Sequence, residues 1–331
     1  MKHLRNTFRK GWRALTRHQD WNIGIVDAPI TAFADPHFDP EIRWLPDPPS
    51  GYFAADPFVF EKDGTPYILY ERYRFSREHG HLAAFRLTAD GGVEDCGRVL
   101  SADTHLAYPY VFEWQGTLYC LPESAIGGEL ALYRVDGIPG TLSRVATLMP
   151  DVSAVDPTIF RHDERWWLAF TDVATGSNET LYLHHAETPL GPWTPHAQNP
   201  VKRDIGSARP AGTPFTCDGM LYRPAQDCSA TYGGRIAMNR VTELTPDRFS
   251  EQTTHWIEPA AGGPRPHGLH TISGAGNLTV IDGKREHFVP GGAYGLIRRT
   301  VSAPFANTHR KRPEPQTRRE PPRPARGGIG V

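Results

Sequence analysis

Short runs of β-forming apolar residues recur along the chain, each split by a polar turn. Ala55-Asp56-Pro57-Phe58-Val59-Phe60 leads to Asp63-Gly64 and then Tyr67-Ile68-Leu69-Tyr70-Glu71. Tyr108-Pro109-Tyr110-Val111-Phe112 leads to Gln115-Gly116 and Tyr119-Cys120-Leu121-Pro122-Glu123. Asp156-Pro157-Thr158-Ile159-Phe160 leads to Asp163-Glu164 and Trp166-Trp167-Leu168-Ala169-Phe170. A looser copy opens at Arg209-Pro210 and passes through Asp218-Gly219. A fifth runs from His270-Thr271-Ile272 to Asp282-Gly283. The steps between copies are 52, 48, 53 and about 61 residues, a period that fits propeller blades. Each copy reads as a hairpin. An X-Pro pair sets the preceding residue extended, and a turn at Asp-Gly or its relative joins two β runs.

The pattern therefore predicts an all-β, five-bladed β-propeller with blades at 53–104, 105–153, 154–206, 207–265 and 266–305. Trp21-Asn22-Ile23-Gly24-Ile25-Val26 reads as a strand. The Pro- and Asp-rich stretch 29–49 crosses a face and is the candidate for the strand that closes the ring. Three divisions follow: a basic amphipathic segment at 1–19, the propeller at 20–305, and a tail at 306–331.

Composition agrees with a turn-rich β fold: 32 Gly and 31 Pro in 331 residues. The net charge of −1 hides an asymmetry. Residues 1–18 hold six basic and no acidic residues, and 308–331 hold seven basic and two acidic, so the middle carries −12. An acidic body argues against nucleic acid as its ligand. Leu4, Phe8, Trp12 and Leu15 make one face of a short N-terminal helix among basic residues, which suits either peripheral membrane contact through 1–18 or docking on the body. The Arg- and Pro-rich end lacks the apolar residues to fold, so a disordered tail is expected. Four cysteines without ligand spacing predict no metal site, and nothing calls for a cofactor. With no apolar run of spanning length and no signal-peptide pattern, the expected location is cytoplasmic, with membrane-peripheral attachment as the variant.

Inner strands of a propeller line its axis, so Asp56, Tyr108, Asp156, Arg209 and His270 should converge on one mouth. The varied residue types at a fixed frame favour a polar, hydroxyl-rich ligand. The opposing reading is that Asp before Pro accepts backbone amides as scaffold. Glu71, Glu123, Asp172 and Asp227 end the second strands. For Glu71 and Asp172 a bond to a neighbouring blade's backbone is the expected role. Glycoside cleavage needs two carboxyl groups. Asp56 as base or nucleophile with Glu123 as acid is the first pairing, and Asp156 would orient the sugar or raise the acid's pKa. Arg209 offers a contact to carboxylate or phosphate, or else an ion pair that closes the channel. His267 and His270, three apart, could bind an ion or a phosphate-bearing ligand, though without a third ligand they are weak evidence of a metal.

As a set, these motifs resemble the propeller domain at the N-terminal side of plant glucosamine inositolphosphorylceramide transferases, also found in bacterial proteins. That domain is similar in turn to the five-bladed propellers of arabinanases, β-xylosidases, invertases and levansucrases. The resemblance implies an Asp in blade one, matched by Asp56, an Asp in blade two, where Tyr108 stands, and a Glu in blade three, where Asp156 stands. An intact hydrolase triad is thus not implied. In the plant proteins sugar transfer resides in a separate glycosyltransferase domain. Three readings stay open: a glycosidase- or glycosyltransferase-related enzyme using Asp56, Glu123 and Asp156 with Tyr108, Arg209, His267 and His270 on the substrate; a non-catalytic glycan- or glycoconjugate-binding module beside a partner glycosyltransferase; and a protein-interaction scaffold.

Overall fold

A computed structural model describes residues 17–77, 79–138 and 140–288. They form five antiparallel sheets arranged as propeller blades. Blade one is Tyr52–Lys62, Thr65–Arg74, His79–Leu87 and Val93–Leu100. Blade two is Ala107–Trp114, Thr117–Glu123, Glu129–Val135 and Leu142–Pro150. Blade three is Ala154–His162, Arg165–Asp172 and Thr180–Ala186, with the short Thr194–Pro195 and Lys202–Arg203 both paired to the third strand. Blade four is Phe215–Cys217, Met220–Asp227, Arg235–Leu244 and Phe249–Ile257.

Blade five joins the two ends of the described chain. Ile272–Ala275 and Leu278–Phe288 are its inner strands, while Arg17–Val26 and Arg43–Trp44 are its outer ones. Ring closure thus falls mainly to Arg17–Val26, paired with Leu278–Phe288 over ten residues. The 29–49 stretch adds only two strand residues. Charge reinforces the closure: Asp20 lies 3.0 Å from Arg265 and 2.9 Å from Arg285, and Arg285 also reaches Asp47 at 3.0 Å. Arg17 and His18 are therefore strand, not helix. The remainder of the expected N-terminal helix, and the expected tail, lie outside the described residues.

Burial follows position in the blade. Ala54 to Phe60 and Ala154 to Phe160 are buried without alternation, because neighbouring blades cover both faces of an inner strand. The outer strand Phe249–Ile257 alternates between half-buried and exposed. Apolar clusters fill the gaps between blades: Phe60, Leu82 and Leu106 meet Cys120 and Leu142, and Phe112 and Leu121 meet Trp166 and Leu168. Each large side chain so buried stabilises the fold by about 1.5–3 kcal/mol.

The inner hairpins turn where the sequence places them. Asp63 and Gly64 have φ 52° and 72°, Gln115 and Gly116 51° and 71°, Asp163 and Glu164 48° and 61°, Asp218 and Gly219 49° and 74°. Two successive positive φ values suit the right-handed twist of the strands. Blade five departs from this reading. Its turn lies between Ala275 and Leu278, a paired couple with Gly276 at φ 56°. Asp282-Gly283 is inside a strand instead, and this moves Asp282 to the axis. Among the described residues, no helix is long and apolar enough to cross a membrane.

Candidate functional site

Each of the first three inner strands carries a bulge at its Xaa-Pro pair. Pairing slips between Ala55 and Phe58, between Ala107 and Tyr110, and between Val155 and Thr158. The residue before each proline is not extended but left-handed: Asp56 at φ 51°, Tyr108 at 43°, Asp156 at 49°. The bulge overrides the usual pre-proline preference and turns these residues out of the ladder. A non-glycine residue held so costs about 1–3 kcal/mol. The bulge also leaves its N–H without a ladder partner, and a buried N–H needs one.

Carboxylates supply those partners across the blades. Asp282 of blade five accepts the Asp56 N–H at 3.1 Å. Asp56 of blade one accepts the Tyr108 N–H at 3.2 Å. Glu123 of blade two accepts the Asp156 N–H at 3.1 Å. Each such hydrogen bond contributes about 0.5–1.5 kcal/mol, which offsets part of the strain at the bulge. The acid of one blade therefore holds the bulge of the next.

Asp156 completes the series with a side chain. Arg209 donates from Nε to Asp156 Oδ2 at 2.6 Å and from Nη2 to Oδ1 at 3.3 Å. Gln226 donates to Asp156 Oδ2 at 2.7 Å. Arg209 also donates to Asn178 at 2.9 Å, and its guanidinium lies 5.1 Å from the Tyr232 ring centre. The Arg209 and Asp156 side chains are 4% and 2% exposed.

On the opposite side, His270 Nδ1 lies 2.5 Å from Asp282 Oδ2, and its Nε2 lies 3.7 Å from Asp56 Oδ1. Thr271 donates to that same Asp56 oxygen at 2.8 Å. The Trp21 ring stacks on His270 with centres 4.0 Å apart, so the closing strand supplies one wall of the site. The ligand atoms of Asp56, His270 and Asp282 fall within 4.8 Å of one another. The 2.5 Å between His270 and Asp282 is a hydrogen-bond distance; two ligands at about 2.0–2.2 Å from one metal would stand further apart.

Burial and crowding set the protonation of the group. Burial, with Asp156 and Asp282 adding to it against the pull of His270, pushes Asp56 up to about 6. Burial and then Asp156 push Glu123 well above the ordinary range. Burial, followed by Asp56 and Glu123, does the same to Glu71. Burial opposes charge on His270, but Asp282 and Asp56 outweigh it and raise its pKa.

The structure brings Asp56, Glu123, Asp156, Arg209 and His270 together. Tyr108 lies beneath them, fully buried: its hydroxyl accepts the Gly212 N–H at 2.6 Å and contacts Thr158 Oγ1 at 2.9 Å. His267 instead sits on the edge of the closing blade, where its Nδ1 accepts the Glu286 N–H at 3.0 Å. Asp172, expected to bond a neighbouring blade, instead holds its own turn by accepting the Ala174 N–H, and Asp227 holds one by accepting the Ser229 N–H. Glu71 departs from the backbone-binding role expected of it: among the described residues no hydrogen bond reaches its Oε1. Asp282, Gln226 and Trp21 join the site without a signal in the repeat.

Known proteins similar to this chain show its family and its fold. The profile of the family described as "Glucosamine inositolphosphorylceramide transferase 1, N-terminal" matches residues 46–263. Glucosamine inositolphosphorylceramide transferase 1 of Oryza sativa subsp. indica is 34% identical over 257 residues, covering 72% of this chain and 34% of that protein. The protein of that name from Arabidopsis thaliana is 35% identical over 208 residues, covering 60% and 27%. The chain thus spans about a third of the length of the curated relatives it matches. Among solved structures, a family 117 glycoside hydrolase of Zobellia galactanivorans is similar with TM-score 0.51 at 14% identity, over 81% of this chain and 91% of that one. An exo-β-1,3-galactanase of Phanerochaete chrysosporium matches at TM-score 0.51 and 13% identity, over 66% and 54%. These likenesses show the five-bladed fold.

Proposed function

We propose a recognition role for this chain, which belongs to the glucosamine inositolphosphorylceramide transferase N-terminal family: its axial site binds a glycan or glycoconjugate headgroup without cleaving it, in the service of a glycosyltransferase. One observation carries this reading. Arg209 engages both oxygens of Asp156, and Gln226 shares one of them. Hydrolysis of a glycoside requires two carboxyl groups free to flank the bond. Here Asp156 is neutralised by an arginine, and the expected pair, Asp56 and Glu123, is committed to the N–H groups of Tyr108 and Asp156.

What remains is a ring of donors and acceptors of mixed charge, with the exposed Tyr232 ring beside Arg209. Such sites recognise hydroxyl-rich rings through hydrogen bonds and an aromatic face. The names of the relatives supply the class: a sugar on an inositol-phosphate lipid. Their further length, beyond the third matched here, is where a transfer activity would reside.

A glycan array probed with the whole chain and with Arg209→Met tests the reading. Retention of hydroxyl-rich glycans by the wild type, lost in the variant, supports it. Equal signals from both proteins, or none from either, would sink it and favour a protein-interaction scaffold.

A further inference from the structure

Among the described residues, Glu71 is the one axial carboxyl that accepts no hydrogen bond from a neighbouring blade. It stands opposite Ala55 across blade one, beside the Asp56 bulge. Its side chain is 7% exposed, and its Oε1 is enclosed with no hydrogen bond among the described residues. Glu123, in the same register opposite Ala107, has its backbone partner. Glu71 has His105 instead, with Nε2 3.5 Å from Oε1.

The protonation of this pair follows from its contacts. His105 Nδ1 accepts the Gly80 N–H at 3.0 Å, so the neutral ring carries its proton on Nε2, facing Glu71. Burial, with His79 nearby, lowers the His105 pKa to about 4 and keeps the ring neutral. Gly80 makes room for this arrangement. A methyl group there would overlap Glu71 Oε1 and stand 2.7 Å from the Leu106 carbonyl oxygen. The groups facing Glu71 are His105, then Asp56 on the adjoining strand, and Glu123, Asp156 and Asp282 across the axis. Burial and the negative field of these carboxyls favour a neutral Glu71, and the same field disfavours an anionic ligand group beside it.

We infer that Glu71 and His105 form a ligand-binding subsite between blades one and two, at which a neutral Glu71 carboxyl donates a hydrogen bond from Oε2 to an uncharged hydroxyl or ring oxygen of a polyol. Oε1 faces the His105 Nε2–H, so Oε2 carries the proton. This assignment rests on the recognition reading and names the ligand face it selects: the uncharged ring, not the phosphate.

Saturation-transfer NMR of the whole chain with myo-inositol and with methyl α-D-glucopyranoside tests it, using wild type, Glu71→Gln and Glu71→Ala across a pH series. Wild-type binding should weaken as rising pH ionises Glu71. Glu71→Gln keeps a donor, so it should bind within about threefold of wild type and lose that pH dependence. Glu71→Ala should bind about tenfold more weakly. If wild type binds neither probe, the recognition reading fails and the subsite with it. If wild type binds and Glu71→Ala binds equally with the same pH profile, the subsite alone is refuted. A Glu71→Gln as weak as Glu71→Ala also refutes it, since the amide keeps shape and donor. Should Glu71→Ala not fold, the pH profile of Glu71→Gln decides by itself.

Discussion

Asp156 and Arg209 meet across the boundary of blades three and four in a two-point ion pair, Nε to Oδ2 at 2.6 Å and Nη2 to Oδ1 at 3.3 Å. The repeat position that carries Asp in blades one and three carries Arg209 in blade four, which places a cation among the axial carboxyls.

Removing one partner of the pair leaves the other charged and buried. Arg209→Met should therefore destabilise by about 3–5 kcal/mol. The double variant Arg209→Met/Asp156→Leu should recover much of that loss. Urea unfolding of the four proteins of this cycle measures it. Additive effects of the two substitutions would show that the pair is not coupled.

Tyr108 ties three blades beneath the site rather than facing its mouth. Tyr108→Phe strands the Gly212 N–H, a buried donor whose loss costs about 1–3 kcal/mol. Unfolding midpoints should fall accordingly while glycan affinity stays near wild type. A loss of affinity at unchanged stability would place the hydroxyl on the ligand instead.

Trp21 couples ring closure to the site by stacking on His270 at 4.0 Å. Trp21→Ala removes a buried indole and should cost about 3–5 kcal/mol. Trp21→Phe, which keeps an aromatic face, should cost less. Thermal melts of both variants report this, and a Trp21→Ala protein as stable as wild type would contradict the closing role of Arg17–Val26.

Asp56 has a sign in its pH dependence. Its pKa is raised from 3.8 to about 6 on folding, so the native state holds the proton more tightly than the unfolded chain. The stability it contributes is fully present below the unfolded value of 3.8 and is lost as pH rises through about 6. Subtracting the Asp56→Asn stability profile from that of wild type isolates the term. The difference should decline across that window; a flat difference would mean that Asp56 is not held in this buried environment.

The repeat makes much of the fold legible. Proline at a fixed frame marks the inner strands, and Asp-Gly or its relatives mark their turns, because both act through local backbone preference. The bulges escape this reading, since the pre-proline preference is local and the carboxylates that override it come from other blades. Asp282 is hidden for a related reason: Asp-Gly is a turn signal by itself, and only pairing with Ile272–Ala275 shows it to be strand. Trp21 reaches His270 from some 250 residues away in sequence, a contact that no spacing encodes. For Glu71, whether a strand-end acid finds a backbone partner depends on the packing of the next blade, which put His105 there instead.

The most direct test of the central claim is turnover measured beside binding. The whole chain, wild type and Asp56→Asn, is incubated with the glycans it retains on an array, and released sugar is followed by mass spectrometry. Binding with no release by either protein is expected. Release by wild type that disappears in Asp56→Asn would contradict it and make the axial carboxyls catalytic.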